Sequence, residues 1–207
     1  MVRAVDFWDA RAEKYAKSPV GDQEVYKEKL ETTQRYFDTD SQVFEFGCGT
    51  GTTAIHHAPF VQKIVATDIS SKMIEIARKK AKGANITNVE FQCSTLEDFE
   101  VADASFDVVM AHNILHLLED PEQAIRISYR LLKPGGVFVT STGCLGDSFS
   151  HWRVMLIIMK ILRKAPYVNV LKRVTLERYF SNAGFEVDLE WNRKKQAAFI
   201  ILKKPAD

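Results

Sequence analysis

Glu45-Phe46-Gly47-Cys48-Gly49-Thr50-Gly51-Thr52 is the stretch that decides the fold. The run before the glycines, Val43-Phe44-Glu45-Phe46, is rich in β-formers. Glycines at alternate positions directly after a strand let a ligand approach the backbone closely. A G-x-G-x-x-G dinucleotide fingerprint starting at Gly47 requires Gly or Ala at position 52, where Thr52 stands. Glu45, two residues before the first glycine, disfavours a pyrophosphate and suits a ligand carrying an ammonium group.

Outward from this loop the chain alternates short apolar runs with helical patterns. Lys63 to Thr67, Val89 to Cys93, Phe106 to Met110 and Gly136 to Thr140 read as further strands. Ser71 to Lys82 and Glu122 to Leu132 read as helices between them. Ser70 or Ser71 is placed to cap the first of these. Asp120-Pro121 is a cap followed by proline at the first helical position. Lys133-Pro134-Gly135-Gly136 is a turn into the fifth strand. Strands alternating with helices predict an α/β fold with a mainly parallel sheet. Phe185 to Trp191 and Gln196 to Leu202 are joined by a short basic loop, which predicts an antiparallel hairpin. The first forty residues read as helices placed to cover one edge of the sheet or the site.

The second strand ends at Asp68, 21 residues after Gly47. A carboxylate there accepts bidentate hydrogen bonds from vicinal ribose hydroxyls. Ile69 and Met73 follow, apolar enough to face an adenine ring. A ribose, an adenine and an ammonium together describe S-adenosylmethionine. At this point the chain resembles the class I S-adenosylmethionine-dependent methyltransferases, and within them the small-molecule type that includes the ubiquinone/menaquinone C-methyltransferases. The resemblance runs over about residues 5 to 142. It rests on FWDARAEKY, VFEFGCGTG, IVATDIS, FQCSTLEDF, FDVVMAHNILHLL and RLLKPGGVFV in that order.

The resemblance implies one Rossmann-like domain over residues 1–207. It implies a seven-stranded, mostly parallel sheet ending in an antiparallel hairpin, helices on both faces, a helical N-terminal cover over 1–40 and an inserted cap over 143–174. S-adenosylmethionine is the implied methyl donor and a small molecule the implied acceptor. Matching residues carry implied contacts. Glu45, Gly47, Gly49 and Thr50 line the methionine end. Asp68 holds the ribose, with Ile69 and Met73 beside the adenine. Ser94, Thr95 and Leu96 take the adenine edge, Ser94 standing where many relatives have Asp. His112 lines the donor-methyl site and is the first candidate for a catalytic base. Tyr15 resembles the tyrosine that covers the ligand. A non-catalytic S-adenosylmethionine-binding module is the alternative from another functional class.

Other chemistries fit the sequence less well. His112 and His116 stand at i, i+4, but no third metal ligand is apparent, so no metal is expected. Cys48 reads as a small loop residue rather than a nucleophile. His56 and His57 read as surface residues on the helix after the loop. After the fourth strand the chain reads Met110-Ala111-His112-Asn113-Ile114. The N-P-P-Y-like tetrapeptide of enzymes that methylate amino groups of nucleic-acid bases or glutamine is absent.

Composition sets the remaining bounds. The 207 residues make one domain's worth of chain. Lys+Arg total 28 and Asp+Glu 27, a net charge of +1, which argues against a nucleic-acid clamp. The cysteines, Cys48, Cys93 and Cys144, suit a reducing compartment, and no apolar leader is visible, so a cytoplasmic location is expected. Charge is nevertheless uneven: Ser148 to Val174 holds six Lys/Arg and no Asp/Glu. Within it Trp152, Met155, Leu156 and Met159 form one helical stripe. Three readings of this segment stay open: a packed helix with a solvated basic face, a cap whose stripe lines a pocket for an apolar or aromatic acceptor that meets His151, Trp152 and Met155, and a membrane-surface or dimerisation helix. The basic charge of the segment also suits an anionic acceptor or an acidic surface.

Overall fold

The computed structural model describes residues 3–19, 21–147, 167–191 and 197–206. Three N-terminal helices come first: α1 (Ala4–Asp9), α2 (Ala12–Lys17) and α3 (Gln23–Gln34). Strands and helices then alternate through β1 (Gln42–Phe46), α4 (Thr52–His57), β2 (Lys63–Asp68), α5 (Ser71–Gly83), β3 (Val89–Cys93) and β4 (Phe106–His112). The chain continues with α6 (Pro121–Leu131), β5 (Leu132–Thr142), α7 (Arg173–Ala183), β6 (Glu186–Trp191) and β7 (Ala198–Lys203).

The sheet order is β3-β2-β1-β4-β5-β7-β6. The first five strands are mutually parallel, and β7 lies antiparallel between β5 and β6. The short connection from β6 to β7 permits only this antiparallel arrangement. The seven-stranded α/β sheet with its terminal hairpin is the one the sequence predicted. Central strands covered on both faces read as continuous apolar runs. Alternate residues of β1 accordingly enter different cores. Phe44 and Phe46 pack on one face with Ile125, Leu131, Phe138 and Phe180. Val43 packs on the other with Ala54, Ile74, Ala77 and Phe199.

Local signals fix the helix starts. Ser70 Oγ accepts the Met73 N–H at 3.1 Å, and Asp120 Oδ1 accepts the Gln123 N–H at 2.8 Å with Pro121 following. One boundary differs from expectation. Pro134-Gly135-Gly136 is not a turn ahead of the strand but lies within β5, which begins at Leu132. Phe106 pairs with Leu132 and Val108 with Val137, so the extra residues are taken up as an irregularity in the ladder.

The ends of the segment between β5 and α7 are joined. Gly146 N–H donates to the Leu171 carbonyl at 2.7 Å, and Arg173 N–H to Asp147 Oδ2 at 2.8 Å. His151, Trp152, Met155 and the rest of the basic apolar stripe lie outside the described residues. Among the described residues, no helix is long and apolar enough to cross a membrane.

Candidate active site

The chain reverses its direction of sheet growth between β1 and β4, which are neighbours in the sheet. In open α/β sheets, ligands bind outside the carboxyl ends of the strands at such a switch point. The glycine loop lies there. Gly51 adopts φ +72 and starts α4, and a Cβ on it would sit 2.7 Å from the Phe91 ring and 2.8 Å from Ala77 Cβ. Only glycine therefore lets the loop turn and α4 pack against α5 and β3. Asp68 ties this loop to β2: its Oδ2 accepts the Gly49 N–H and its Oδ1 the Ser70 N–H, each at 2.9 Å.

Two adjoining cavities open at this edge. The first, of about 470 Å³, is lined by Asp68, Ile69, Met73, Ser94, Thr95 and Leu96. The second, of about 410 Å³, lies beneath α3 and is lined by Glu45 and Thr50 among others. Tyr15, Gly47, Gly49, His112 and Asn113 line both. Every residue assigned to the cofactor from sequence thus borders one chamber or the other. Tyr15 stands at the mouth, 52% exposed, with its ring edge toward Trp8 and its Cε1 above Gly49.

Several wall residues escaped the sequence reading. Trp8 and Thr67 border the first chamber. Lys29, His57 and Ser141 border the second. Trp8 lies inside the quoted FWDARAEKY segment, so a signal for it was present. Lys29 and Ser141 come together only through the tertiary fold, where Lys29 Nζ donates to Ser141 Oγ at 2.7 Å. His57 corrects an expectation: it is not a surface residue but fully buried, with its ring edge-on to Phe37 at 5.0 Å. It sits in the last turn of α4, on the side that meets the Phe37 ring, while the neighbouring His56 stays exposed.

The electrostatics of the second chamber are unusual. Glu45 is fully buried, and burial followed by the nearby Asp68 charge raises its pKa to about 8. The Ala54 N–H donates to this carboxylate, but Glu45 Oε2 has no partner. Burial lowers the pKa of His112 to about 4, with Lys29 contributing, and that of His57 to about 3. Both imidazoles are therefore neutral. His112 Nε2 and both ring nitrogens of His57 are buried without a partner. Buried polar groups are normally hydrogen-bonded, so such a concentration of orphans marks a place where a ligand completes the bonding.

The first chamber is milder in character. Burial raises the Asp68 pKa, while its bonds from Ser70 and Gly49 pull the other way. Thr67 Oγ1 is buried there without a partner. Ser94 Oγ donates to the Thr95 carbonyl at 2.9 Å, so its hydroxyl is engaged locally. The Cys48 thiol is pushed well up by burial, which makes it a poor nucleophile. Among the described residues, no three His, Cys, Asp or Glu side chains are gathered to hold a metal ion.

The chain is similar to known methyltransferases in sequence and in fold. Residues 44–140 match the family model described as a methyltransferase domain. Over 100 residues the chain is 33% identical to an uncharacterized methyltransferase, YcgJ, of Bacillus subtilis, covering 48% of this chain and 40% of that protein. It is 26% identical over 155 residues to a ubiquinone biosynthesis O-methyltransferase of Xanthomonas axonopodis, covering 72% of this chain and 64% of the relative. The matches thus span about half the length of these curated relatives. A SAM-dependent methyltransferase from Aquifex aeolicus shares the fold with a TM-score of 0.71 at 15% identity, over 95% of this chain and 98% of that one.

Proposed function

We propose that this chain, whose residues 44–140 match the methyltransferase-domain family model, transfers a methyl group from S-adenosylmethionine to a small-molecule acceptor. One observation carries the reading. Two carboxylates, Glu45 and Asp68, end adjacent strands around one glycine loop, and one oxygen of Glu45 is buried with no partner. A ligand with an ammonium at one end and a ribose at the other satisfies both.

When bound, S-adenosylmethionine supplies a methyl made electrophilic by its sulfonium. The chain's own residues hold and shield it. Asp68 keeps lone pairs for ribose hydroxyls after accepting from Gly49 and Ser70. Glu45 ionises against the donor's ammonium. Ile69, Met73 and Leu96 offer apolar faces to the adenine, with the Ser94–Leu96 backbone along its edge. Tyr15, with α1, α2 and α3, covers the donor, and the glycine loop ahead of α4 presents Thr50 beside the methionine end. Catalysis then rests on alignment and exclusion of water.

His112 stands where both chambers meet and is the candidate to touch the acceptor. Its basicity limits its role. Moving a proton from a phenol of ordinary pKa, about 10, to an imidazole near 4 is uphill by about 8 kcal/mol. A group as weakly acidic as water, near 15.7, costs about 16 kcal/mol. His112 is therefore better suited to hydrogen-bonding the acceptor as a neutral ring than to deprotonating an alcohol.

Calorimetry with S-adenosylmethionine, S-adenosylhomocysteine and a nicotinamide dinucleotide tests the donor assignment. Low-micromolar binding of the first two alone is expected, and tight nicotinamide binding alone overturns it. A non-catalytic donor-binding module remains the second reading, favoured by the uncharged, locally bonded Ser94 at the adenine edge. Turnover with candidate acceptors separates the two.

A further inference from the structure

We propose that the chamber beneath α3, beside the donor's methionine end, also holds the acceptor, and that it takes this acceptor as a carboxylate held by Lys29 and by the ring N–H groups of His57 and His112. The inference rests on the methyl-transfer reading and adds the chemical class of the acceptor and a binding role for His57.

Three observations converge on it. His57 and His112 both line this cavity and both carry orphaned ring nitrogens, and a neutral imidazole always has one N–H to donate. His57 is fully buried, so its polarity there is a standing cost unless a ligand bonds it. Lys29 brings a positive charge to the same wall, bonded to Ser141 Oγ and close enough to His112 to disfavour its protonation. Glu45, the buried carboxylate of this chamber, is committed to the donor's ammonium.

The chemistry agrees. Neither histidine is basic enough to activate a weakly acidic hydroxyl, so an acceptor that arrives already ionised avoids the proton transfer altogether. Its oxygen gains a bond to the methyl carbon as the carbon–sulfur bond breaks with its electron pair staying on sulfur, and no proton moves. An anion and a sulfonium become two neutral groups, a change that a buried, water-poor chamber favours.

The test uses three probes of one shape and different charge: benzoate, benzyl alcohol and benzylamine. Each is titrated into the protein loaded with S-adenosylhomocysteine. Binding is read by calorimetry and by the ring carbon–proton NMR signals of the histidines. Benzoate is expected to bind at least tenfold more tightly than either analogue and to move the His57 and His112 signals. Lys29→Met should abolish that preference, and His57→Phe should weaken benzoate at least fivefold, while each variant keeps its affinity for S-adenosylhomocysteine within about twofold. Equal or tighter binding of benzylamine overturns the proposal, as does an unmoved His57 signal with all three probes. Competition between benzoate and S-adenosylhomocysteine also overturns it, because the chamber would then hold the donor's own carboxylate. Failure of S-adenosylhomocysteine to bind at the outset removes the methyl-transfer reading itself, a separate outcome.

Discussion

Asp68 Oδ2 accepts the Gly49 N–H at 2.9 Å, so the residue placed to hold the donor's ribose also fixes the loop that receives its methionine end. Asp68→Ala should lose both functions. A charged hydrogen bond contributes about 1.5–3 kcal/mol, so donor affinity should fall by roughly 10–150-fold. Asp68→Asn retains an oxygen for Gly49 and should fall less. Calorimetry with S-adenosylhomocysteine measures both, and unchanged affinity in Asp68→Ala would remove it from the site.

Glu45 gives the ligand-free protein an alkaline weakness. Its folded pKa of about 8 lies above the ordinary 4.5, so the folded state holds a proton that the unfolded chain releases between those values. The contribution of Glu45 to stability is therefore fully present below pH 4.5 and is lost as pH rises toward 8, by at most about 5 kcal/mol. Glu45→Gln should flatten the dependence of Tm on pH across that window. Donor binding at pH 7 should also release close to one proton as the ammonium ionises Glu45. Calorimetry in buffers of different ionisation enthalpy detects this release, and it should vanish in Glu45→Gln.

The sequence carried the sheet and the donor half of the site because both are written in local pattern. Strand, glycine turn and strand-end carboxylate fall within a few residues of one another at Glu45–Gly51 and at Asp68. The Ser70 and Asp120 caps were legible for the same reason. What was not legible depends on contacts between distant segments. Lys29 meets Ser141 across 112 positions of chain. His57 looks like one of a pair of solvent-facing histidines until the Phe37 ring packs against it. Leu132 begins β5 before Pro134-Gly135-Gly136 because its pairing with Phe106 outweighs the local turn preference. Tertiary pairing, which one sequence does not display, decided each of these.

Gly49 and Gly51 are two residues apart with similar backbones, and their alanine variants should behave differently. At Gly51 a methyl meets the Phe91 ring at 2.7 Å and Ala77 at 2.8 Å, with φ at +72. The left-handed conformation costs about 1–2 kcal/mol and overpacking about 1–3 kcal/mol. Gly51→Ala should therefore lose about 2–5 kcal/mol of stability. At Gly49 the nearest atom is Tyr15 Cε1, at an ordinary 3.6 Å. Only the conformational term applies, about 1–2 kcal/mol, but the methyl projects toward the ligand. Denaturant melts should rank Gly51→Ala as the less stable variant, and S-adenosylhomocysteine titration should show Gly49→Ala impaired in binding while still folded.

His57 should make the ligand-free protein sensitive to acid. Its folded pKa of about 3 lies below the ordinary 6.5, because burial disfavours the imidazolium. The unfolded chain therefore binds a proton in this interval that the folded state refuses. The contribution of His57 to stability is present above pH 6.5 and is lost as pH falls toward 3, by at most about 5 kcal/mol. His112, with its value near 4, adds a loss of the same sign over a narrower range. His57→Gln keeps a polar side chain of similar reach but cannot take up the proton. Its Tm should fall less steeply than that of the wild type between pH 6.5 and 4, even if its Tm at pH 7 is lower. Parallel acid profiles for the two proteins would mean that His57 is protonated in the fold and would overturn this account.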